Sequence, residues 1–144
     1  MNHNEITWIG THLGITNDKG GLEAAQTGNF TVVNLAEESR NPTANIFAPL
    51  PLFNVKINSL NKIAEVIDNL LSKEGNKPKI VIHDELGSER CGLVAAWLLH
   101  VVNGVKLDEA YQLVIEKRPS VLDCTHWINT EGTNQGEYEV TRKT

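Results

Sequence analysis

The chain has 144 residues, of which 40% are hydrophobic and 22% charged, and its net charge is -5. This composition predicts one folded domain over residues 1–144, and the acidic balance argues against duplex nucleic acid as a partner, because that surface needs clustered basic residues. No apolar run approaches the roughly 20 residues that span a membrane, and two cysteines without metal-ligand or disulfide spacing predict a reduced, cytoplasmic protein with no metal site and no cofactor.

The N-terminal quarter of the chain predicts strands and one short helix. Residues 6–10 alternate apolar and polar side chains as a strand does, and residues 11–15 are typical of its hairpin partner or continuation. Residues 21–28 predict a short helix that ends at a glycine. The β-branched, apolar run 30–36 then indicates a buried strand.

The middle of the chain contains a loop, an extended segment, a helix and a central strand. Polar residues 37–45 predict a loop, and the prolines of the extended segment 46–55 exclude it from the centre of a sheet. Apolar residues recur at helical spacing over 59–73, which predicts an amphipathic helix. Residues 79–83 are nearly all apolar, as is typical of a strand covered on both faces.

Two helices follow the central strand. Residues 91–102 are apolar on every side and predict a buried helix that ends at a glycine cap, and residues 107–118 predict a second, amphipathic helix. Strands alternating with helices indicate an α/β layered fold. The polar tail from about residue 131 is set apart from this pattern, as a segment that could be mobile.

The stretch "HDELGSER", residues 83–90, joins the central strand to the buried helix. A strand that ends at His83, a turn at Gly87 and a helix that starts near Arg90 gather backbone N–H groups around one point. The positive end of the helix dipole and the planar guanidinium also favour an anion. Many such connections hold nothing, so on composition alone a plain connecting loop is an equal alternative.

The loop resembles the phosphate-binding loop of the cysteine-dependent dual-specificity phosphatases, whose pattern is His-Cys, five residues, Arg, then Ser or Thr. The likeness extends to "ITWIGTHLG", "GNFTVVNLAEE", "LPLFNVKINSLNKIAEVIDNL" and "VAAWLLHVVNGVKLDEAYQLVIEKRPSV" and so covers nearly the whole chain. It implies a small, largely parallel central sheet flanked by helices. It also implies a phosphate loop formed by His83, Asp84, Glu85, Leu86, Gly87, Ser88, Glu89, Arg90 and Cys91.

The reacting positions depart from the family pattern. Asp84 stands where the family has its cysteine nucleophile, Asn54 is the matching position for the general acid, and Cys91 replaces the Ser or Thr after the arginine. A carboxylate is a weaker nucleophile than a thiolate, and an amide cannot give a proton to a leaving group. The sequence therefore predicts no catalytic residue for cysteine-phosphatase chemistry.

Three roles are open for Asp84. Its carboxylate could fold into the loop, accept N–H bonds and pair with Arg90 in place of a phosphate. It could instead point aside and leave the loop open for a phosphorylated ligand, or it could itself attack, which would require a metal ion to offset the charge. Cys91 is a further candidate nucleophile, because a helix N-terminus lowers a thiol pKa.

We therefore expect a pseudophosphatase that binds or sequesters a phosphorylated small molecule, nucleotide or phosphoprotein without hydrolysing it. One alternative is an active phosphatase-like hydrolase, through altered chemistry or because Asp84 is an introduced substitution. Another is a protein-interaction module whose loop is closed by Asp84. The sequence does not determine the ligand or the oligomeric state.

Overall fold

The computed structural model describes residues 3–39, 41–72, 78–130 and 141–142. The polar tail from about residue 131 lies mostly outside the described residues, because only residues 141–142 of it are described. In the described residues, no helix combines the length and the apolar character that crossing a membrane requires.

The strands pair into one large and one small sheet. They are β1 (Thr7–Trp8), β2 (Leu13–Thr16), β3 (Thr31–Ala36), β4 (Ile46–Leu50), β5 (Val55–Lys56), β6 (Ile80–His83), β7 (Ile128–Asn129) and β8 (Thr141–Arg142). The large sheet has the order β1-β2-β6-β3-β4-β8, and β5 pairs with β7 in the small one. Pairs β2–β6, β6–β3 and β3–β4 are parallel, so the sheet is parallel at its centre and antiparallel at its two ends.

Helices cover both faces of the large sheet. They are α1 (Asp18–Thr27), α2 (Ile57–Leu71), α3 (Arg90–Asn103) and α4 (Leu107–Lys117), followed by a 3-10 turn at Thr125–Trp127. Helix α1 packs against β3 and β6 on one face, while α2 and α4 pack around α3 on the other. The chain is therefore an α/β fold with a largely parallel central sheet between helices, as the sequence predicts.

The central strand β6 divides the core by the alternation of its side chains. Ile80 and Ile82 face the large cluster beneath α3, whereas Val81 faces the small cluster beneath α1. Successive side chains of a strand point to opposite faces, so His83 follows Val81 to the α1 side. The loop after β6 thus begins between α1 and α3.

Two helices begin earlier than predicted, and one strand differs from its predicted place in the sheet. Helix α1 begins at Asp18, three residues before its predicted start at residue 21. Helix α2 begins at Ile57, two residues before its predicted start at residue 59, and its predicted last residue, Lys73, lies outside the described residues. Strand β4 is not at the edge, because β8 pairs with its first two residues. Pro49 lies beyond that pairing, so the proline still limits how far an outer strand can pair.

Candidate functional site

The loop between β6 and α3 is built around one glycine. Gly87 has a φ of 73°, a left-handed conformation that side chains rarely adopt. A Cβ atom there would also lie 2.6 Å from the Arg118 guanidinium and 2.9 Å from the Asn17 nitrogen. Only glycine fits this turn, which brings the loop N–H groups back toward its starting residue, Asp84.

Arg118 contacts the loop from its buried side. This residue is fully buried at the end of α4, and its Nε donates to the Gly87 carbonyl oxygen at 2.8 Å. Its other nitrogens donate to the carbonyl oxygens of Glu5 at 3.0 Å and His3 at 2.7 Å, and to Thr7 Oγ1 at 2.8 Å. One guanidinium therefore ties the loop to the N-terminal segment.

The Asp84 carboxylate turns into the loop. The residue is 1% exposed, and its Oδ1 accepts a hydrogen bond from the Gly87 N–H at 2.5 Å. Its Oδ2 accepts from the N–H of Cys91, in the first turn of α3, at 3.2 Å. Two backbone N–H groups of the loop thus have a carboxylate from the chain itself as their acceptor.

Arg90 pairs with a carboxylate other than the one expected. Its two terminal nitrogens donate to the two carboxylate oxygens of Glu38 at 2.6 and 2.7 Å, and one also donates to the Leu50 carbonyl oxygen at 3.1 Å. The expectation that Asp84 pairs with Arg90 is therefore wrong. Glu38 presents both oxygens side by side to the guanidinium, whereas both Asp84 oxygens accept backbone N–H bonds.

The charges of this pair follow from its geometry. Hydrogen bonding to Arg90 is the largest effect on Glu38 and lowers the pKa of its carboxyl group. Burial opposes the charged form of Arg90, but the hydrogen bonds to Glu38 and the charge of Asp84 outweigh it and raise the guanidinium pKa. Arg90 is 2% exposed, and its Nε has no hydrogen-bond partner among the described residues.

His83 is fully buried. Its Nδ1 lies 3.3 Å from Asp18 Oδ1 and 3.4 Å from the Asp84 carbonyl oxygen, and its Nε2 lies 3.4 Å from Asn41 Nδ2. These partners assign the proton to Nδ1. Burial lowers the pKa of His83, so the imidazole is held neutral against the backbone of α1 at Gly21.

The outer residues of the loop face solvent. Glu85 and Leu86 are exposed, Ser88 and Glu89 are partly exposed, and the Ser88 carbonyl oxygen accepts from the Leu122 N–H at 2.8 Å. Partial burial and then the negative charge of Asp84 raise the pKa of Glu89. This part of the loop presents carboxylates outward.

Neither remaining reactive candidate is arranged for chemistry. Asn54 is exposed, and its Oδ1 accepts from Asn129 Nδ2 at 3.1 Å rather than from a loop residue. Cys91 is fully buried, and burial together with the nearby Asp84 carboxylate raises its thiol pKa well above the usual range. The expected lowering of that pKa by the helix N-terminus is wrong, because desolvation outweighs the dipole.

Sequence reasoning missed Glu38, Asp18 and Arg118. Glu38 follows β3, which lies next to β6, and the carboxyl ends of adjacent parallel strands meet at one sheet edge. That rule could have placed Glu38 near the loop. Asp18 begins α1 and donates its N–H to the Glu85 carbonyl oxygen at 3.2 Å, and its carboxylate accepts a short hydrogen bond from Ser39. No local signal distinguishes Arg118 from an exposed arginine at a helix end.

The chemistry available at this site is limited by these contacts. Within residues 3–39, 41–72, 78–130 and 141–142, no group of three or more His, Cys, Asp or Glu side chains could hold a metal ion. An attack by Asp84 would need such an ion to offset the charge of a phosphate. The described contacts of Asp84, Glu38 and Arg90 are hydrogen bonds and an ion pair.

Comparisons with known proteins concern the fold. No protein-family model matches the sequence, and no curated protein matches it. The structure is similar to that of human DUSP28, with 16% identity, a TM-score of 0.68, and coverage of 85% of this chain and 86% of that chain. It is also similar to Tk-PTP in its active form, with 20% identity, a TM-score of 0.68 and coverage of 85% and 90%.

A third similar structure is the human tyrosine phosphatase-like serine/threonine/tyrosine-interacting protein. Its identity to this chain is 16%, its TM-score 0.71, and the coverage 86% of this chain and 91% of that chain. At these identities the likeness concerns the architecture and not the chemistry. The chain thus has the fold of the dual-specificity and protein tyrosine phosphatases.

Proposed function

We propose that this chain is a pseudophosphatase that acts by binding a partner, and that its own carboxylates close its phosphate loop. The observation that carries the proposal is the buried Asp84 carboxylate, which accepts the N–H bonds of Gly87 and Cys91. The two terminal nitrogens of the Arg90 guanidinium likewise donate hydrogen bonds to the Glu38 carboxylate. Both kinds of donor that would bind a phosphate therefore have a partner within the chain.

Electrostatics oppose a phosphate in this closed loop. At a separation of about 4 Å and an effective dielectric constant of about 20, each pair of like unit charges costs roughly 4 kcal/mol. A phosphate beside Asp84 would meet at least one such repulsion. An energy of that size corresponds to a loss of about a thousandfold in affinity.

Hydrolysis has no support from the reacting positions. A buried, hydrogen-bonded carboxylate replaces the thiolate, an amide stands at the general-acid position, and the nearest thiol is buried with a raised pKa. The loss of a general acid alone removes roughly a hundredfold or more in rate. An active hydrolase, natural or altered by a substitution at Asp84, is therefore the weaker hypothesis.

A phosphorylated small molecule or phosphoprotein is a second candidate ligand. The specific observation in its favour is that the Glu38 side chain is 38% exposed, on a surface segment after β3, while the Arg90 Nε has no partner among the described residues. A phosphoryl group that approaches from solvent could displace the Glu38 carboxylate and accept hydrogen bonds from the Arg90 guanidinium. Asp84 would remain in the loop, so we expect this binding to be weak.

The fold is compatible with a binding role. One of the similar structures, the human tyrosine phosphatase-like serine/threonine/tyrosine-interacting protein, is named for interaction. That name concerns the human protein, and its identity to this chain is 16%. The human protein supports the proposal only as an example of this fold in a protein that is named for a binding role.

The test compares anion binding by the parent, Asp84→Ser and Glu38→Gln, with Glu85→Gln as the control for an exposed loop carboxylate. Tungstate, phosphate and sulfate are added to each, and the melting temperature is recorded. A ligand at 100 times its dissociation constant adds about 2.7 kcal/mol, which corresponds to several degrees at roughly 2–4 °C per kcal/mol. We expect tungstate to stabilise Asp84→Ser and to leave the parent and Glu85→Gln unchanged.

Two other outcomes separate the rival functions. Stabilisation of the parent by tungstate, increased in Glu38→Gln, would favour a loop that binds phosphorylated ligands. Turnover of an aryl phosphate by the parent, abolished in Arg90→Ala, would favour an active hydrolase and contradict the proposal.

A further inference from the structure

Large apolar side chains are exposed on the segments that surround the loop. We call them the apolar rim: Leu52 is 39% exposed, Phe53 71%, Leu86 58% and Leu122 57%. Exposed apolar residues are ordinary when isolated, but a group of them on one edge of a fold marks an interaction surface.

Backbone contacts place the rim residues around the same opening. Leu86 belongs to the loop, and the Leu122 N–H donates to the Ser88 carbonyl oxygen at 2.8 Å. Leu52 and Phe53 follow β4, whose last carbonyl oxygen accepts from Arg90 at 3.1 Å. The rim therefore borders the loop from two sides.

Phe53 is the central residue of a tight turn, in which the Asn54 N–H donates to the Leu52 carbonyl oxygen at 2.8 Å. Its φ is 68°, in the left-handed region, and this costs an L-residue roughly 1–2 kcal/mol. The ring makes an edge contact with Trp127 at a centroid distance of 5.1 Å, yet the residue is 71% exposed. Strain kept at an exposed aromatic side chain is a mark of a functional position.

The opening is negatively charged. Four carboxylates, which we call the mouth carboxylates, belong to residues 84–90 or pair with Arg90: Glu38, Asp84, Glu85 and Glu89. Partial burial raises the pKa of Glu89, and the negative charges of the other three carboxylates raise it further against the opposing charge of Arg90. The Arg90 guanidinium beside them is buried and already paired with Glu38.

We propose that the apolar rim and the mouth carboxylates form a docking surface for a protein segment that carries Lys or Arg beside aromatic or aliphatic side chains. The inference rests on the proposed function, because it requires the loop to stay closed to anions. The sign of the charge argues for this partner, since a basic segment is attracted where a phosphorylated one is repelled. The rim supplies the apolar anchors that usually carry binding energy.

The test selects peptides from a displayed random library on the full-length parent protein. The same selection is run on Phe53→Ser, and on Val101→Ser as a matched control. Val101 is 45% exposed at the opposite end of α3, so its substitution removes exposed apolar surface away from the loop. We expect the parent and Val101→Ser to enrich basic peptides with aromatic or aliphatic residues, and Phe53→Ser to enrich none.

The affinity of one enriched peptide then separates the two contributions. Phe53→Ser should raise its dissociation constant about 10-fold or more, which is typical for loss of a central anchor, and Val101→Ser should leave it within about twofold. Leu86→Ser serves as the second rim variant if Phe53→Ser unfolds. The double substitution Glu85→Lys, Glu89→Lys should weaken binding, and it should also weaken the dependence of the affinity on salt.

Three results would overturn the docking surface: no enrichment, enrichment of acidic peptides, or equal binding by the rim variants and Val101→Ser. The tungstate experiment keeps this failure distinct from failure of the proposed function. If the peptide selection fails while the parent stays unresponsive to tungstate, the docking surface is wrong and the closed loop stands. If tungstate stabilises the parent, the closed loop is wrong.

Discussion

The residues beneath the loop and the residues at its mouth differ in how they match the phosphatase pattern. Beneath it, Gly87, Arg118 and the buried His83 hold the turn with contacts that any anion-binding loop of this shape would need. At its mouth, the carboxylates of Asp84 and Glu38 accept hydrogen bonds from the Gly87 N–H and from Arg90. The contacts beneath the loop hold its backbone, whereas those at its mouth pair charged side chains with loop donors.

This difference shows that the shape of the loop and its chemistry have separate physical causes. The shape depends on a left-handed glycine and a buried guanidinium, which act whether or not a ligand binds. The chemistry depends on the side chain at position 84. The carboxylate there accepts backbone N–H groups that would otherwise lack an acceptor, and so it stabilises an empty loop.

Removal of the support should have the largest effect. In Arg118→Ala, the Gly87 carbonyl oxygen and the N-terminal acceptors of this side chain lose a charged donor in a buried site. We expect the free energy of unfolding to fall by about 3 kcal/mol or more, measured by urea denaturation. The neighbouring Lys117→Ala, at an exposed position, should change it by less than about 0.5 kcal/mol. Equal effects of the two substitutions would contradict the supporting role.

Removal of the carboxylate at the mouth should cost less. In Asp84→Ala, the N–H groups of Gly87 and Cys91 lose their acceptor, and each such loss is worth about 1–3 kcal/mol unless water enters. We expect a total loss near 2 kcal/mol by urea denaturation, against less than about 0.5 kcal/mol for the exposed Glu85→Ala. A stabilised Asp84→Ala would mean that the carboxylate is strained in the loop.

Stability should depend on pH through His83. Burial lowers its pKa, so below pH 6.5 the unfolded chain binds a proton that the folded chain does not, and the free energy of unfolding falls. The contribution is complete above pH 6.5, and the slope below it is at most about 1.4 kcal/mol per pH unit. Urea denaturation at several pH values should show this slope in the parent and in His126→Gln, an exposed control, and a smaller slope in His83→Gln. An unchanged slope in His83→Gln would contradict the assignment.

The smallest expected effect is the reactivity of the two cysteine thiols in the folded protein. Burial raises the pKa of the Cys91 thiol and raises that of Cys124 to about 12, so neither forms a thiolate near neutral pH. We expect a thiol-reactive probe to label both only when urea unfolds the chain. Rapid labelling of Cys91 in the folded protein would contradict this expectation and would support Cys91 as a candidate nucleophile.

Much of the fold follows from patterns that are local in sequence. Buried strands such as β6 have a dense apolar signature, and α3 and α4 end at residues that sequence rules assign to helix ends. The small β5–β7 sheet could not be predicted from the sequence, because two-residue strands carry no periodic signal. The pairing of β8 with β4 likewise depends on partners far apart in the chain.

The candidate site was predicted in part. The loop from His83 to Cys91 was located by its spacing, and one of the hypotheses for Asp84, a carboxylate turned inward, agrees with its hydrogen bonds. The partner of Arg90 was not predicted. Glu38 is distant from it in sequence and reaches it only because β3 and β6 are neighbours in the sheet.

The sequence by itself determined the α/β order of elements and the position of the loop after the central strand, since each of these depends on local composition and spacing. Only the tertiary structure decided which charges meet. Glu38 lies against Arg90, Arg118 lies beneath Gly87, and burial rather than the helix dipole sets the state of Cys91. The reason is physical: pairing and desolvation depend on distances between segments that are remote in the chain, and these distances exist only after the sheet has formed.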